Sequence, residues 1–239
     1  MNSYFQFKQF IVHQDKTAMK VCTDACLFGA WVANKLEREK MISQNILDIG
    51  CGTGLLSLML AQKTGGIIDA VEINENAFLQ AKENIALSPW KERINIFHEN
   101  IIGYTPQKKY DVIICNPPFF VNHLKTDNAD RNAAMHTTAI SFFSLSIAVR
   151  NNLSDYGTAA ILLPHNIVDE FVEIFKKEKL FLKEQLKISH SPTHPIFRSI
   201  LLFSLTEEQI IENSISIKDN SNKYSSEFDK LLKDYYLYL

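Results

Sequence analysis

The chain has 239 residues, 46% of them hydrophobic and 22% charged, with a net charge of -2 and a pI near 6.4. This suits one folded domain with a sizeable core and excludes a disordered chain. It also excludes a strongly basic nucleic-acid binder, so a surface for RNA would have to be a local basic patch. No run approaches the roughly 20 apolar residues that span a bilayer, and the first residues lack the pattern of a signal peptide. Cys22, Cys26, Cys51 and Cys115 sit at neither metal-like nor disulfide-like spacing, which predicts a reducing, cytoplasmic compartment.

Residues 4–20 alternate short apolar and polar stretches and predict a small hairpin with its turn at Gln14-Asp15. Thr23 or Asp24 caps a predicted helix over 24–38. From residue 45 strands (45–50, 67–73, 93–98, 110–115) are interleaved with helices (54–63, 75–87). Helix 138–152, strand 157–163 and helix 165–177 follow, so the pattern is βαβ with a mostly parallel sheet. Residues 183–190 and 199–205 then read as two strands without an intervening helix, an antiparallel pair at the sheet edge. Residues 206–222 are polar and loop-like, and 225–236 predict a terminal amphipathic helix.

Two segments carry chemistry. In Asp48-Ile49-Gly50-Cys51-Gly52-Thr53-Gly54 a buried strand runs into a glycine-rich turn that opens a helix. Gly50, Gly52 and Gly54 let the backbone approach a ligand closely. Asp48 disfavours a pyrophosphate and suits a ligand carrying an ammonium and a sulfonium. Glu72, at the end of the second strand, can accept both hydroxyl hydrogens of a ribose. This segment resembles motif I of the class I (Rossmann-like) methyltransferases. The resemblance implies S-adenosyl-L-methionine as cofactor and a seven-stranded α/β sheet in the order 3-2-1-4-5-7-6, with strand 7 antiparallel. By position in that fold, Asn100 would flank the cofactor's adenine, with Glu99 as competitor.

The second segment is Asn116-Pro117-Pro118-Phe119-Phe120, which leaves the C-terminal end of strand 110–115, where open α/β sheets bind ligands. Consecutive prolines stiffen it. An aromatic amine is a poor nucleophile because its lone pair is delocalised. The Asn116 side-chain carbonyl and the Pro117 backbone carbonyl can accept from its NH2 and aim the lone pair, while Phe119 stacks on the ring. Pro118 and Phe120 would complete the wall of that pocket. The segment resembles the (Asn/Asp)-Pro-Pro-(Phe/Tyr) signature of amino-methyltransferases. Enzymes acting on adenine N6, guanine N2 and glutamine amide nitrogen share it, so alone it leaves the acceptor open.

The ends of the chain narrow the choice. Phe7-Lys8-Gln9-Phe10, Asp15 to Val21 and Thr23 to Trp31, with Tyr224 to Phe228 and Leu231 to Leu237, are similar to the bacterial tRNA1(Val) adenine-37 N6-methyltransferases. Cys22 and Ala25 stand where that family has glycine. The resemblance implies N6 methylation of adenine 37 in the anticodon loop of a valine tRNA, by direct in-line transfer without metal. The alternatives are methylation of ribosomal guanine N2 or release-factor glutamine, or an RNA-binding protein without catalysis. The expected organisation is one domain, with 1–40 as a cofactor lid, 41–205 as the core and 206–239 as a C-terminal loop and helix. In the lid, Thr23 and Lys20 would reach the cofactor carboxylate. RNA would meet Lys8, Lys16, Lys125, Arg131 and Arg198, with Arg131 and Arg198 preferred at the mouth. His190 and His194 are not read as a metal pair, because the prolines between them break the helix that would align the rings. The protein is expected to be a monomer and to bind no membrane.

Overall fold

The computed structural model describes residues 2–17, 19–38, 45–118 and 141–239. Two short strands, β1 (Tyr4–Gln6) and β2 (Ile11–His13), form an antiparallel hairpin, and α1 (Thr23–Arg38) follows. The expected turn at Gln14-Asp15 is corrected: the hairpin closes at Phe7-Lys8-Gln9-Phe10, where Phe7 N–H donates to Phe10 O at 2.9 Å and the two phenyl rings stack. An apolar turn is stable here because it is covered from the far end of the chain, with Phe7 bridging Tyr236.

The core runs through β3 (Asn45–Ile49), α2 (Leu55–Lys63), β4 (Ile67–Glu72), α3 (Glu75–Ala86), β5 (Ile94–His98) and β6 (Tyr110–Cys115), with a loop in place of a helix between the last two. After the undescribed stretch come α4 (Phe142–Asn152), β7 (Leu153–Pro164), α5 (Val168–Lys177), β8 (Phe181–Ser189) and β9 (Ile196–Ser204). The last elements are β10 (Ile211–Ser216) and α6 (Ser226–Leu232). β3, β4 and β6 read as near-continuous apolar runs because helices cover both faces of the sheet. On one face α1 and α2 pack with Phe28, Leu58 and Met59 fully buried; on the other, Phe171 and Phe175 of α5 stack on each other and pack against Phe203 of β9.

The sheet has eight strands in the order β10-β8-β9-β7-β6-β3-β4-β5, with β9 antiparallel to both neighbours. The expected count of seven is therefore corrected. β10 pairs in parallel with β8, within a segment read as loop. The reason is its edge position: Ile211 to Ser214 are exposed and only Ile215 is buried, so the strand carries the polar sequence of a loop. No helix among the described residues is long and apolar enough to cross a membrane.

Candidate functional site

The parallel strands β3, β4 and β6 end side by side, with Ile49 opposite both Val71 and Cys115. Their C-terminal ends therefore bring the glycine turn, Glu72 and Asn116 to one edge. Gly50, Gly52 and Gly54 adopt φ of 68°, 58° and 80°, the left-handed region closed to most side chains. A Cβ at Gly50 or Gly52 would meet no atom within 4 Å, so the turn lines open space.

Glu72 holds the turn in shape. Its carboxylate accepts from Gly52 N–H at 2.9 Å and from Asn74 N–H at 2.8 Å, one bond to each oxygen. A carboxylate has about four acceptor sites, so each oxygen keeps one for a ligand such as a ribose diol. Asp48 is wholly buried. Its Oδ2 accepts from Ser57 N–H at 3.1 Å and from the Ser57 hydroxyl at 2.7 Å, whereas Oδ1 has no partner. Burial pushes its carboxyl up to about 7, against the bonds from Ser57, and the negative charge of Glu72 adds to the rise. The thiols of Cys51 and Cys115 are likewise pushed up by burial and by the charges of Asp48 and Glu72. Two carboxylates thus sit close together at this edge, one of them wholly buried, a poor place for an anion and a good one for a cation, whose charge would favour the ionised Asp48.

Asn116 leaves β6 half-buried, and its Oδ1 is also buried without a partner. Buried polar atoms almost always have one. The orphaned oxygens of Asp48 and Asn116 are acceptors for which no described residue supplies a donor. Pro117 is buried and Pro118 exposed. Phe119, Phe120, Arg131 and Lys125 lie outside the described residues.

Other expectations fare differently. Asn100 is exposed, and its side chain accepts from Ile102 N–H at 3.0 Å, which caps the turn after β5. Lys20 donates to the backbone carbonyls of Gln14 and Thr17, and Thr23 starts α1 beside His190 and Phe197. No hydrogen bond among the described residues joins Lys20 or Thr23 to the glycine turn. Arg198 pairs with Asp24 through a 2.9 Å bond from its Nε, which fastens β9 to the start of α1. Of the other basic candidates, Lys8 bonds Lys233 O and Lys16 pairs with Glu83.

Sequence reasoning missed two positioning residues. Ser57 is the Asp48 partner just described. Asn84, almost fully buried on α3, accepts from His13 N–H at 2.9 Å and donates to His13 O at 2.8 Å and Thr53 O at 2.9 Å. It ties the N-terminal segment to the glycine turn. Gln80 adds a bond from Lys16 N–H at 3.0 Å. The one available signal was an amide on the buried stripe of an amphipathic helix.

Residues 29–141 match the family described as Methyltransferase small domain. The tRNA1(Val) (adenine(37)-N6)-methyltransferase of Parabacteroides distasonis is 40% identical over 239 residues, 99% of this chain and 98% of its own. That of Pseudoalteromonas translucida is 40% identical over 98% of this chain and 99% of its own. The chain belongs to this family. Solved structures share its fold at low identity. A predicted O-methyltransferase from Agrobacterium tumefaciens superposes with a TM-score of 0.67 at 14% identity, over 88% of this chain and 96% of that one. A putative RNA methyltransferase from Pyrococcus horikoshii gives 0.56 at 18%, over 84% and 92%. A glycopeptide N-methyltransferase complexed with S-adenosyl-L-homocysteine gives 0.55 at 12%, over 74% and 87%. Family membership thus covers the chain end to end, including the hairpin and α6, which lie outside the matched methyltransferase domain.

Proposed function

We propose that this protein methylates the exocyclic N6 of adenine 37 in tRNA1(Val), acting as a monomer by direct in-line transfer from S-adenosylmethionine. The observation that carries the reading is the near-complete match to enzymes named for that reaction, joined to a site whose two orphaned acceptors suit the two reactants. When bound, S-adenosylmethionine supplies an electrophilic methyl group already activated by the positive charge on sulfur, so no metal is needed to polarise it.

The chain's own residues do the rest. Asp48 Oδ1 receives a donor from the cationic amino-acid part of the cofactor, in a floor where burial makes that contact strong. Glu72 takes the ribose hydroxyls on its two remaining acceptor sites while its other two hold the turn. Gly50, Gly52 and Gly54 leave room for close approach, and Asn100 stands at the adenine end. On the acceptor side, Asn116 Oδ1 and the Pro117 carbonyl accept from the target NH2 and orient its lone pair. Phe119 stacks on the base; Pro118, Phe120 and Arg131 flank it, and Arg198 steers RNA at the rim. Lys20 and Thr23 serve the N-terminal lid. Adenine 37 lies in a single-stranded loop, so it can be splayed into the pocket at a cost of a few kcal/mol.

The test is to incubate the protein with labelled cofactor and total tRNA from a strain lacking the enzyme, then map the product. N6-methyladenosine at position 37 of one valine tRNA is expected. N2-methylguanosine, methylglutamine on an added release factor, or no transfer overturns the reading.

A further inference from the structure

We propose that the groove between the β8–β9 hairpin, the start of α1 and Tyr224 is a stacking subsite for a nucleobase flanking the target adenine. The proposal rests on the function proposed above and adds to it where the neighbouring nucleotide goes.

The hairpin stands above the reaction edge. Cys115, the last residue of β6, lies opposite Ile161, whereas β7 and β9 stay paired to Pro164 and Arg198, three residues further on. At 3.3 Å per residue that raises a wall of about 10 Å beside the catalytic loop. Asn116 follows β6, Phe197 lies on β9 two places away in the sheet, and His190 leaves β8, the next strand. The lateral offsets are about 10 and 14 Å at a strand spacing of 4.8 Å. A chain whose target base enters at Asn116 therefore passes this wall within a nucleotide or two.

The wall carries a platform of the right chemistry. The His190 ring lies on Phe197 with centroids 4.0 Å apart and planes only 6° from parallel. Phe197 is half-buried and packs against the core, which fixes the inner ring; His190 is exposed. A fixed stack of this kind accepts one more flat ring, and every base offers a π-face. The groove in front holds about 360 Å³ and is also lined by Tyr224, itself stacked on Phe228 at 4.7 Å, and by Lys218. Asp24, which would repel a phosphate, is already neutralised by Arg198. An aromatic groove with one lysine and an aspartate already paired with Arg198 fits a nucleotide better than an acidic or purely apolar partner.

The test uses full-length tRNA assembled from synthetic pieces, intact or with an abasic residue on either side of the target adenine. For the intact tRNA, His190→Ala should raise KM about tenfold, in line with loss of one base–ring stack. kcat, cofactor affinity and melting temperature should hold, and His190→Phe should restore KM. Wild-type protein should show a similar KM penalty on one of the abasic tRNAs, and on that tRNA His190→Ala should cost nothing more. An unchanged KM for His190→Ala, or penalties that multiply on both abasic tRNAs, overturns the subsite while leaving the methylation intact. No methylation of intact tRNA by wild-type protein overturns the subsite and the proposed function together.

Discussion

The two halves of the sheet's C-terminal edge commit their polar groups in opposite ways. On the side of β3 and β4, carboxylates are engaged: both oxygens of Glu72 hold backbone N–H groups, and one oxygen of Asp48 holds Ser57. On the side of β6, β9 and β8, Asn116 Oδ1 holds nothing, and beyond it stand an imidazole and aromatic rings. The first half is preformed by its own short-range bonds, as suits a small ligand bound the same way each cycle. The second waits for a large substrate to complete it. Substitutions on the first half should therefore act through cofactor affinity and stability, and those on the second through turnover and RNA affinity.

The sharpest test is Asn116→Ala. Removing one preorganised polar group should lower kcat by roughly 10²–10³ with cofactor affinity unchanged, measured by single-turnover methylation and calorimetry. Lost cofactor affinity would make Asn116 part of the first half and dissolve the contrast. Glu72→Ala should do the reverse: it frees two N–H groups at the turn, and cofactor affinity should fall by about 10–100-fold. If kcat at saturating cofactor falls as far, the division fails.

Asn84→Ala removes two bonds to the hairpin and one buried bond to the turn and should destabilise the fold by about 1–3 kcal/mol. Urea titration reads the loss directly, and a saturating cofactor analogue should recover part of it.

A last test sharpens the role of Asp48. Its carboxyl rises from 3.8 to about 7 on folding, so the folded state holds the proton more tightly than the unfolded chain. That contribution to stability is complete below pH 4 and is lost as pH rises through 7. The free protein should be less stable at pH 8 than its Asp48→Asn variant, and melting curves at pH 5 and 8 should show a flatter profile for the variant. Cofactor affinity of the wild type should in turn strengthen as pH rises through 7, while the variant's should not. A variant with the wild-type pH profile would mean that Asp48 is already ionised in the empty fold.

The preformed half was readable because its signals are local. Asp48, Gly50, Gly52 and Gly54 fall within one turn, and their spacing follows from backbone angles only glycine takes freely. Strands β3, β4 and β6 were readable for a similar reason, since buried parallel strands are apolar nearly throughout. What escaped depends on distance along the chain. Asn84 meets Thr53 and His13 across three elements, and β10 is a strand only because β8 offers it an edge. The Gln14-Asp15 turn signal was real but misassigned: Gln14 uses its side chain to hold Val21 N–H at 2.8 Å, which folds the segment before α1 and not the hairpin.

The join between the two chain ends has a consequence for biosynthesis. Phe7 pairs with Tyr236, Lys8 N–H donates to Tyr235 O at 2.8 Å, and Tyr235 reaches back to Met59 O at 3.0 Å. The hairpin thus finds its place only after residues 235 and 236, more than two hundred positions later, have been translated. Through Asn84 that same segment braces the glycine turn. A nascent chain that stops before Tyr235 would carry the catalytic motif while the segment that braces its glycine turn is still unanchored, so the brace is set only once these late residues are made.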